Sequence, residues 1–267
     1  MKFISSRQNS IVRTFRALAD DPDPTGERVL LDGLHLVRDA HTAGAVFELL
    51  VVSKSRLADG TEEAQLIRDL DGATLEVAIA DDKVFGALSP VKSPSGIAAI
   101  VRRKVTAPPL LCRRPHAFVI AGVDIQDPGN VGALIRAAEA GGATGAFVCG
   151  TSASPFAWKA LRGSMGSALR LPVVAGMTTD AVMNCMADAE MRTIAAVPRG
   201  GEDPDKVDWH GSVGLFVGGE GPGLSDEIVA RCSARVTVPM AVTVESLNVA
   251  VAGALLIYAA RRQRMNP

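Results

Sequence analysis

Ile11, Val12, Phe15 and Leu18 recur near a 3.6-residue spacing, which predicts a helix over residues 6–20. After the turn DDPDPTGE, short apolar runs alternate with helical segments. ERVLLDG, FELLVVS, LEVAIA and GIAAIVRR read as strands. LHLVRDAHTAG closed by Gly44, Glu62 to Leu70, and DKVFGALS read as helices. Residues 1–101 are therefore expected to form an α/β sandwich. Residues 102–114, RRKVTAPPLLCRR, carry two prolines and five basic residues without an acid, and read as a basic linker.

A second alternation occupies residues 115–267. HAFVIAGVD, GAFVCG, LPVVA, RTIAAV, SVGLFVGG and ARVTVPM read as strands. They are short continuous apolar runs, the pattern of a parallel sheet covered on both faces. NVGALIRAAEAGG, PFAWKALRGSMGSA, DAVMNCMADAE and SDEIVARC read as helices between them, and SLNVAVAGALLIYAARRQR as a long last helix. That last helix is apolar on nearly every face, so it belongs in a core or at a dimer interface.

Composition narrows the function classes. With 48% hydrophobic and 21% charged residues among 267, disorder is excluded as the main state. Lys and Arg total 28 against 29 acids, a net charge of −1, so nucleic-acid binding must come from local patches. Three acid-free stretches offer them: Lys2, Arg7, Arg13 and Arg16; Lys159, Arg162 and Arg170; and Arg261, Arg262 and Arg264. Eight Phe, two Trp and one Tyr are too few for a base-stacking platform. Cys112, Cys149, Cys185 and Cys232 are widely spaced and read as small buried hydrophobes in a reducing compartment. His35, His41, His116 and His210 are scattered, so no metal is expected. The polar start has no signal-peptide pattern, and the run Val249 to Ala260 is shorter than the about 20 residues a membrane span needs. A soluble, cytoplasmic protein is expected.

Three segments carry candidate chemistry. In DIQDPGNVGALIRAAEAGG, a strand ends in a turn, Asn130 can cap the helix, and Arg136 is a lone cation among small apolar residues. Such an arginine either reaches to solvent or sits in a site. In FVGGEGPGLSDE, Gly218, Gly219, Gly221 and Gly223 lie between strand and helix, where a ligand can approach the backbone. The dinucleotide fingerprint fails there, because its third glycine falls on Leu224, which argues against a nicotinamide oxidoreductase. In VTVPMAVTVESLNVAVAG, Ser246 and Asn248 are polar groups at the mouth of an apolar helix, placed either to cap it or to serve a site.

In this order and at these distances, the three segments resemble the motifs of the SpoU (TrmH-like) RNA 2′-O-ribose methyltransferases of the SPOUT superfamily. Motif one is similar to Asn130-x-Gly132-x-x-x-Arg136, motif two to Gly218-x-Glu220-x-x-Gly223, and motif three to Val238-Pro239-Met240 with Ser246-Leu247-Asn248-Val249. PFAWKALRGSMGSALRLPV resembles the segment between motifs one and two. The match spans residues 116–264. Residues 1–100 are more loosely similar to the family's substrate-binding domain.

The resemblance implies a C-terminal α/β trefoil-knot domain with a parallel sheet, and a homodimer through it. It implies S-adenosyl-L-methionine as donor, held by Gly218, Gly219, Gly223, Val238, Met240 and Leu247. The catalytic set it implies is Asn130, Arg136, Glu220, Ser246 and Asn248. An arginine is a poor base, with a pKa above about 12. Arg136 is therefore expected to orient the target phosphate and stabilise charge on the ribose oxygen, with the final proton acceptor unassigned. Val242 stands where many members have Gly, and Ala250 where Ser is common. The two-domain layout is more similar to the ribosomal RNA enzymes than to the tRNA ones. A non-catalytic ribosome-assembly factor, with Val242 blocking the cofactor, is the competing expectation.

Overall fold

The computed structural model describes residues 2–58, 60–70, 75–221 and 223–265. They form two units, one of Met1–Val105 with Phe156–Arg170, the other of Thr106–Pro155 with Leu171–Pro267.

The first unit contains β1 (Lys2–Ile4), α1 (Ser10–Asp20), β2 (Arg28–Asp32), α2 (Leu34–Thr42), β3 (Val46–Ser53), α3 (Glu62–Asp69), β4 (Glu76–Ala80), α4 (Asp82–Leu88) and β5 (Ile97–Arg102). Its sheet has the order β1-β4-β3-β5-β2, with β5 antiparallel to both neighbours and the other pairs parallel. The first helix begins at Ser10, later than its apolar pattern suggests, because the Asn9 side chain accepts from Ile11 N at 2.9 Å and caps it. It buries Val12 and Phe15 against Ile4, Val51 and Ile100. β1 is three residues long, too short to show a periodicity, and only its pairing with β4 makes it a strand.

The second unit takes up the chain at α5 (Pro108–Cys112), β6 (Phe118–Val123), α6 (Pro128–Ala140) and β7 (Gly145–Cys149). Next come α7 (Trp158–Ser164) and α8 (Ser167–Arg170), which belong to the first unit. The single helix expected over 155–168 is broken there by Met165 and Gly166, both at positive φ. The segment joins the first unit through named contacts. Phe156 lies against Gly26, where a Cβ would come within 2.2 Å of its ring. The Arg103 guanidinium stacks 3.6 Å over the same ring and donates from Nε to Gly26 O at 2.5 Å. Arg170 pairs with Asp39 at 2.8 Å. The expected linker is thus structured at both ends. Arg102 ends β5, burial lowers the pKa of Arg103 to about 10, and Pro108–Cys112 is helical.

The second unit continues with β8 (Val173–Met177), α9 (Thr179–Ala187), β9 (Arg192–Ala196), β10 (Val213–Gly218), α10 (Asp226–Arg231), β11 (Ala234–Val236) and α11 (Val249–Met265). All neighbours in its sheet, β11-β9-β10-β6-β7-β8, are parallel. The continuous apolar runs are explained by this: Val119, Ala121, Phe147 and Phe216 are buried against Val182, Met183 and Met186. Helices α6 and α11 pack closely through glycine. A Cβ on Gly141 would lie 2.0 Å from Ile257, and one on Gly253 2.4 Å from Leu134.

The last helix is not buried all round. Gly253, Leu256, Ile257 and Ala260 face inward, while Val251, Leu255 and Tyr258 are 49%, 48% and 45% exposed. Two of its basic residues are occupied within the unit. Arg262 pairs with Asp205 at 2.6 Å, and Arg264 donates to Trp209 O at 2.6 Å and Gly211 O at 2.9 Å. Cys112 and Cys149 are buried, and burial pushes their thiols up to about 12 and about 11. Both are therefore protonated and inert at neutral pH. Among the described residues no helix is long and apolar enough to cross a membrane, and no group of three or more His, Cys, Asp or Glu is placed to hold a metal.

Candidate functional site

The site is built where β6 and β10 end side by side at the carboxyl edge of the parallel sheet. After β6 the chain turns sharply at Asp124, whose φ of 54° is left-handed. Its Oδ1 accepts from Thr151 N at 2.7 Å and Thr151 Oγ1 at 3.0 Å, which holds the turn. The turn presents the Asp124 carbonyl to the segment leaving β10. Gly219 N donates to Val123 O at 2.7 Å, and a Cβ on Gly219 would lie 2.0 Å from Asp124 O. Glycine is required at 219 by this backbone contact. The same holds at Gly218, where a Cβ would fall 2.4 Å from Gly223 C and Leu224 N.

Asn130 does not cap α6. Asp127 does, accepting from Asn130 N at 2.9 Å, with Pro128 following in the first turn. The cap three residues earlier frees the Asn130 side chain. Its Nδ2 donates to Glu220 Oε1, and its Oδ1 accepts from Asn248 Nδ2 at 3.0 Å. Glu220 Oε2 also accepts from Gln126 N at 3.4 Å. Asn248 Oδ1 accepts from Ala250 N at 3.0 Å and Val251 N at 3.3 Å, so Asn248 caps α11 as well. One residue from each sequence motif thus enters a single hydrogen-bonded chain, Asn248–Asn130–Glu220. Asn248→Ala is expected to cost about 1 kcal/mol through the lost cap. It also leaves Asn130 Oδ1 without its partner. The mutant's urea midpoint against wild type checks this.

Next to that chain is a cavity between β10, the loop after β9 and the residues that follow β11. Its walls include all six residues assigned to the cofactor, Gly218, Gly219, Gly223, Val238, Met240 and Leu247, together with Ser246. The expected strand ARVTVPM ends at Val236, and residues 237–248 run irregularly along the cavity. Ala196, Val197 and Pro198 line it as well. They were not singled out in the sequence, where RTIAAV reads only as a strand. Val242 is 87% exposed and is not part of the lining, so its side chain does not block the cavity. Ala250 is buried at the start of α11, where its effect is on helix packing. Arg136 stands outside both the hydrogen-bonded chain and the lining. It is exposed and, among the described residues, makes no side-chain hydrogen bond or ion pair. Ser246 is exposed at the cavity and equally without a hydrogen-bond partner among the described residues.

The arrangement suits an adenosine-type ligand. A site of this kind needs apolar walls and nearby backbone donors and acceptors. Val238, Met240 and Leu247 supply the first, and Gly218, Gly219, Gly221 and Gly223 the second. In that segment, side chains at 218 or 219 would collide with neighbouring backbone.

Comparison with known proteins gives a consistent picture. The model of the SpoU rRNA Methylase family matches residues 117–258. The 23S rRNA (guanosine(2553)-2′-O)-methyltransferase RlmP of Bacillus subtilis is 28% identical over 260 residues, covering 97% of this chain and 98% of that one. An AdoMet-bound rRNA methyltransferase from Sinorhizobium meliloti superposes with a TM-score of 0.87 at 26% identity, over 98% of each chain. The SpoU methyltransferase AviRb from Streptomyces viridochromogenes, in complex with AdoMet, gives a TM-score of 0.84 at 25% identity, over 97% of this chain and 100% of that one.

Proposed function

The chain belongs to the SpoU rRNA methylase family and has its SPOUT fold, and on that premise we propose that it methylates a ribose 2′-hydroxyl of ribosomal RNA using S-adenosyl-L-methionine. The observation that carries the reading is the Asn248–Asn130–Glu220 chain at the edge of the glycine-walled cavity. It joins residues more than 80 positions apart that the sequence had grouped only by resemblance. The relatives named for rRNA extend over nearly the whole chain, the first unit included, which favours rRNA over tRNA as substrate.

When bound, S-adenosylmethionine supplies an electrophilic methyl group on sulfur. The residues assigned to hold it are Gly218, Gly219, Gly223, Val238, Met240 and Leu247. Transfer needs the ribose oxygen, methyl and sulfur in line, so positioning supplies much of the rate. Glu220, held by Asn130 and by Gln126 N, fixes the glycine segment relative to α6. Asn248 ties the start of α11 to the same point. Among the described residues Arg136 has no side-chain partner to release, and it is assigned to grip the phosphate next to the target ribose and to stabilise charge building on its oxygen. Ser246 is assigned to hydrogen-bond the target hydroxyl. An arginine is a poor base, so the proton goes to another acceptor.

The first unit is assigned to binding the RNA. The exposed stripe Val251, Leu255 and Tyr258 on α11 is the face assigned to a homodimer. A cytoplasmic location goes with an rRNA substrate. The exposure of Val242 removes the argument for a non-catalytic role. Calorimetric titration with S-adenosylmethionine is expected to show one site per chain. Absence of binding to a folded protein would overturn the proposed reaction.

A further inference from the structure

Residues 238–247 form one wall of the cavity, yet they are weakly tethered. Their root is firmly tied. Thr237 N donates to Glu202 O at 2.9 Å, Thr237 Oγ1 donates to Val197 O at 3.0 Å, and Gly201 N donates to Thr237 Oγ1 at 2.9 Å. Their far end is held by Asn248. Between these points the loop makes one internal turn bond, Val244 N to Ala241 O at 3.0 Å. Among the described residues, the only hydrogen bonds reaching 238–247 from elsewhere come from Arg199, whose Nη2 donates to Val242 O at 3.4 Å and Val244 O at 3.2 Å.

Arg199 directly follows the lining residues Ala196, Val197 and Pro198. Its side chain therefore ties the 238–247 loop to the segment that follows β9, and both contribute residues to the lining. We infer that Arg199 is a positioning residue that latches the 238–247 loop over the bound cofactor and so sets cofactor affinity. This rests on the proposed methyltransferase reading. The chemistry suits a latch. A guanidinium offers several donors in a fixed plane and can meet two carbonyls of one loop at once. The contacts are long and exposed, so they hold the loop without locking it. Cofactor can then enter, and the demethylated product can leave, by release of one side chain. Among the described residues Arg199 makes no hydrogen bond or ion pair with Asn248, Asn130, Glu220 or Arg136, so it acts on binding and leaves the transfer step alone.

The test uses the full chain and two measurements. In the first, Arg199→Ala raises KM for S-adenosylmethionine about tenfold, as expected for loss of a charged donor's hydrogen bonds. The value of kcat and the melting temperature stay near wild type, and Arg199→Lys, which keeps the charge and donors, recovers part of the affinity. The second needs no cofactor. A glutamate-specific protease cuts at Glu245 severalfold faster in Arg199→Ala than in wild type. Unchanged KM and unchanged cleavage in a folded Arg199→Ala protein overturn the latch, as does a loss confined to kcat. If wild type binds no S-adenosylmethionine but Arg199→Ala still accelerates cleavage, the loop contact stands and the cofactor reading falls.

Discussion

Arg136→Ala is expected to lower methyl transfer by about two to three orders of magnitude, the usual effect of removing a donor that stabilises a developing oxyanion. The folded state should be untouched. Arg136 is exposed on α6 and its side chain has no hydrogen bond or ion pair among the described residues, so nothing is left unsatisfied. Alanine also has the higher helix propensity. The melting temperature and S-adenosylmethionine affinity should therefore match wild type, while RNA affinity falls and its salt dependence weakens by one phosphate contact. Single-turnover transfer, with calorimetry on the same sample, separates these effects. Transfer at the wild-type rate refutes the role given to Arg136.

The second large effect is at Gly219. The Cβ of Gly219→Ala would lie 2.0 Å from the Asp124 carbonyl, and neither side of that contact yields easily. Gly219 is held by its own bond to Val123 O, and Asp124 by Thr151. The contact can be relieved only by moving the β6 turn or the start of motif two. Either movement separates Gln126 and Asn130 from Glu220 and opens the glycine wall. The expected cost is about 2–3 kcal/mol of stability, in the range of overpacked sites, together with loss of measurable cofactor binding. Urea unfolding and calorimetry of the variant check both. Wild-type stability and binding together would show that the backbone contact does not matter.

Much of the fold was legible because its strands are apolar runs bounded by glycine, proline and acidic turns. The helices on β2, β3, β6 and β10 follow from the same alternation. What escaped depended on long-range packing. β1 exists through its pairing with β4. The affiliation of residues 156–170 depends on Phe156, Gly26 and Arg103, which are far apart in sequence and have no shared periodicity. The helix expected there breaks because Met165 takes a left-handed conformation that no composition rule assigns to methionine.

The site shows the same division. Glycines 218 and 219 leave a trace in the chain because backbone approaches them closely, and Gly223 because its φ of 70° is left-handed. By its local sequence Asn130 can cap a helix, but Asp127 takes the same donors from an earlier position. Its partners Glu220 and Asn248 lie 90 and 118 residues away, beyond any local pattern. Arg199 gave no signal, since an arginine after a strand is ordinary until its two carbonyl partners are placed.

The most direct test of the central claim is transfer of labelled methyl from S-adenosylmethionine to transcribed rRNA and tRNA, followed by nucleoside analysis. The expected result is label in a 2′-O-methylnucleoside of rRNA, lost with Arg136→Ala. Label in a base, or none in any RNA or ribosomal particle despite bound cofactor, would contradict the account.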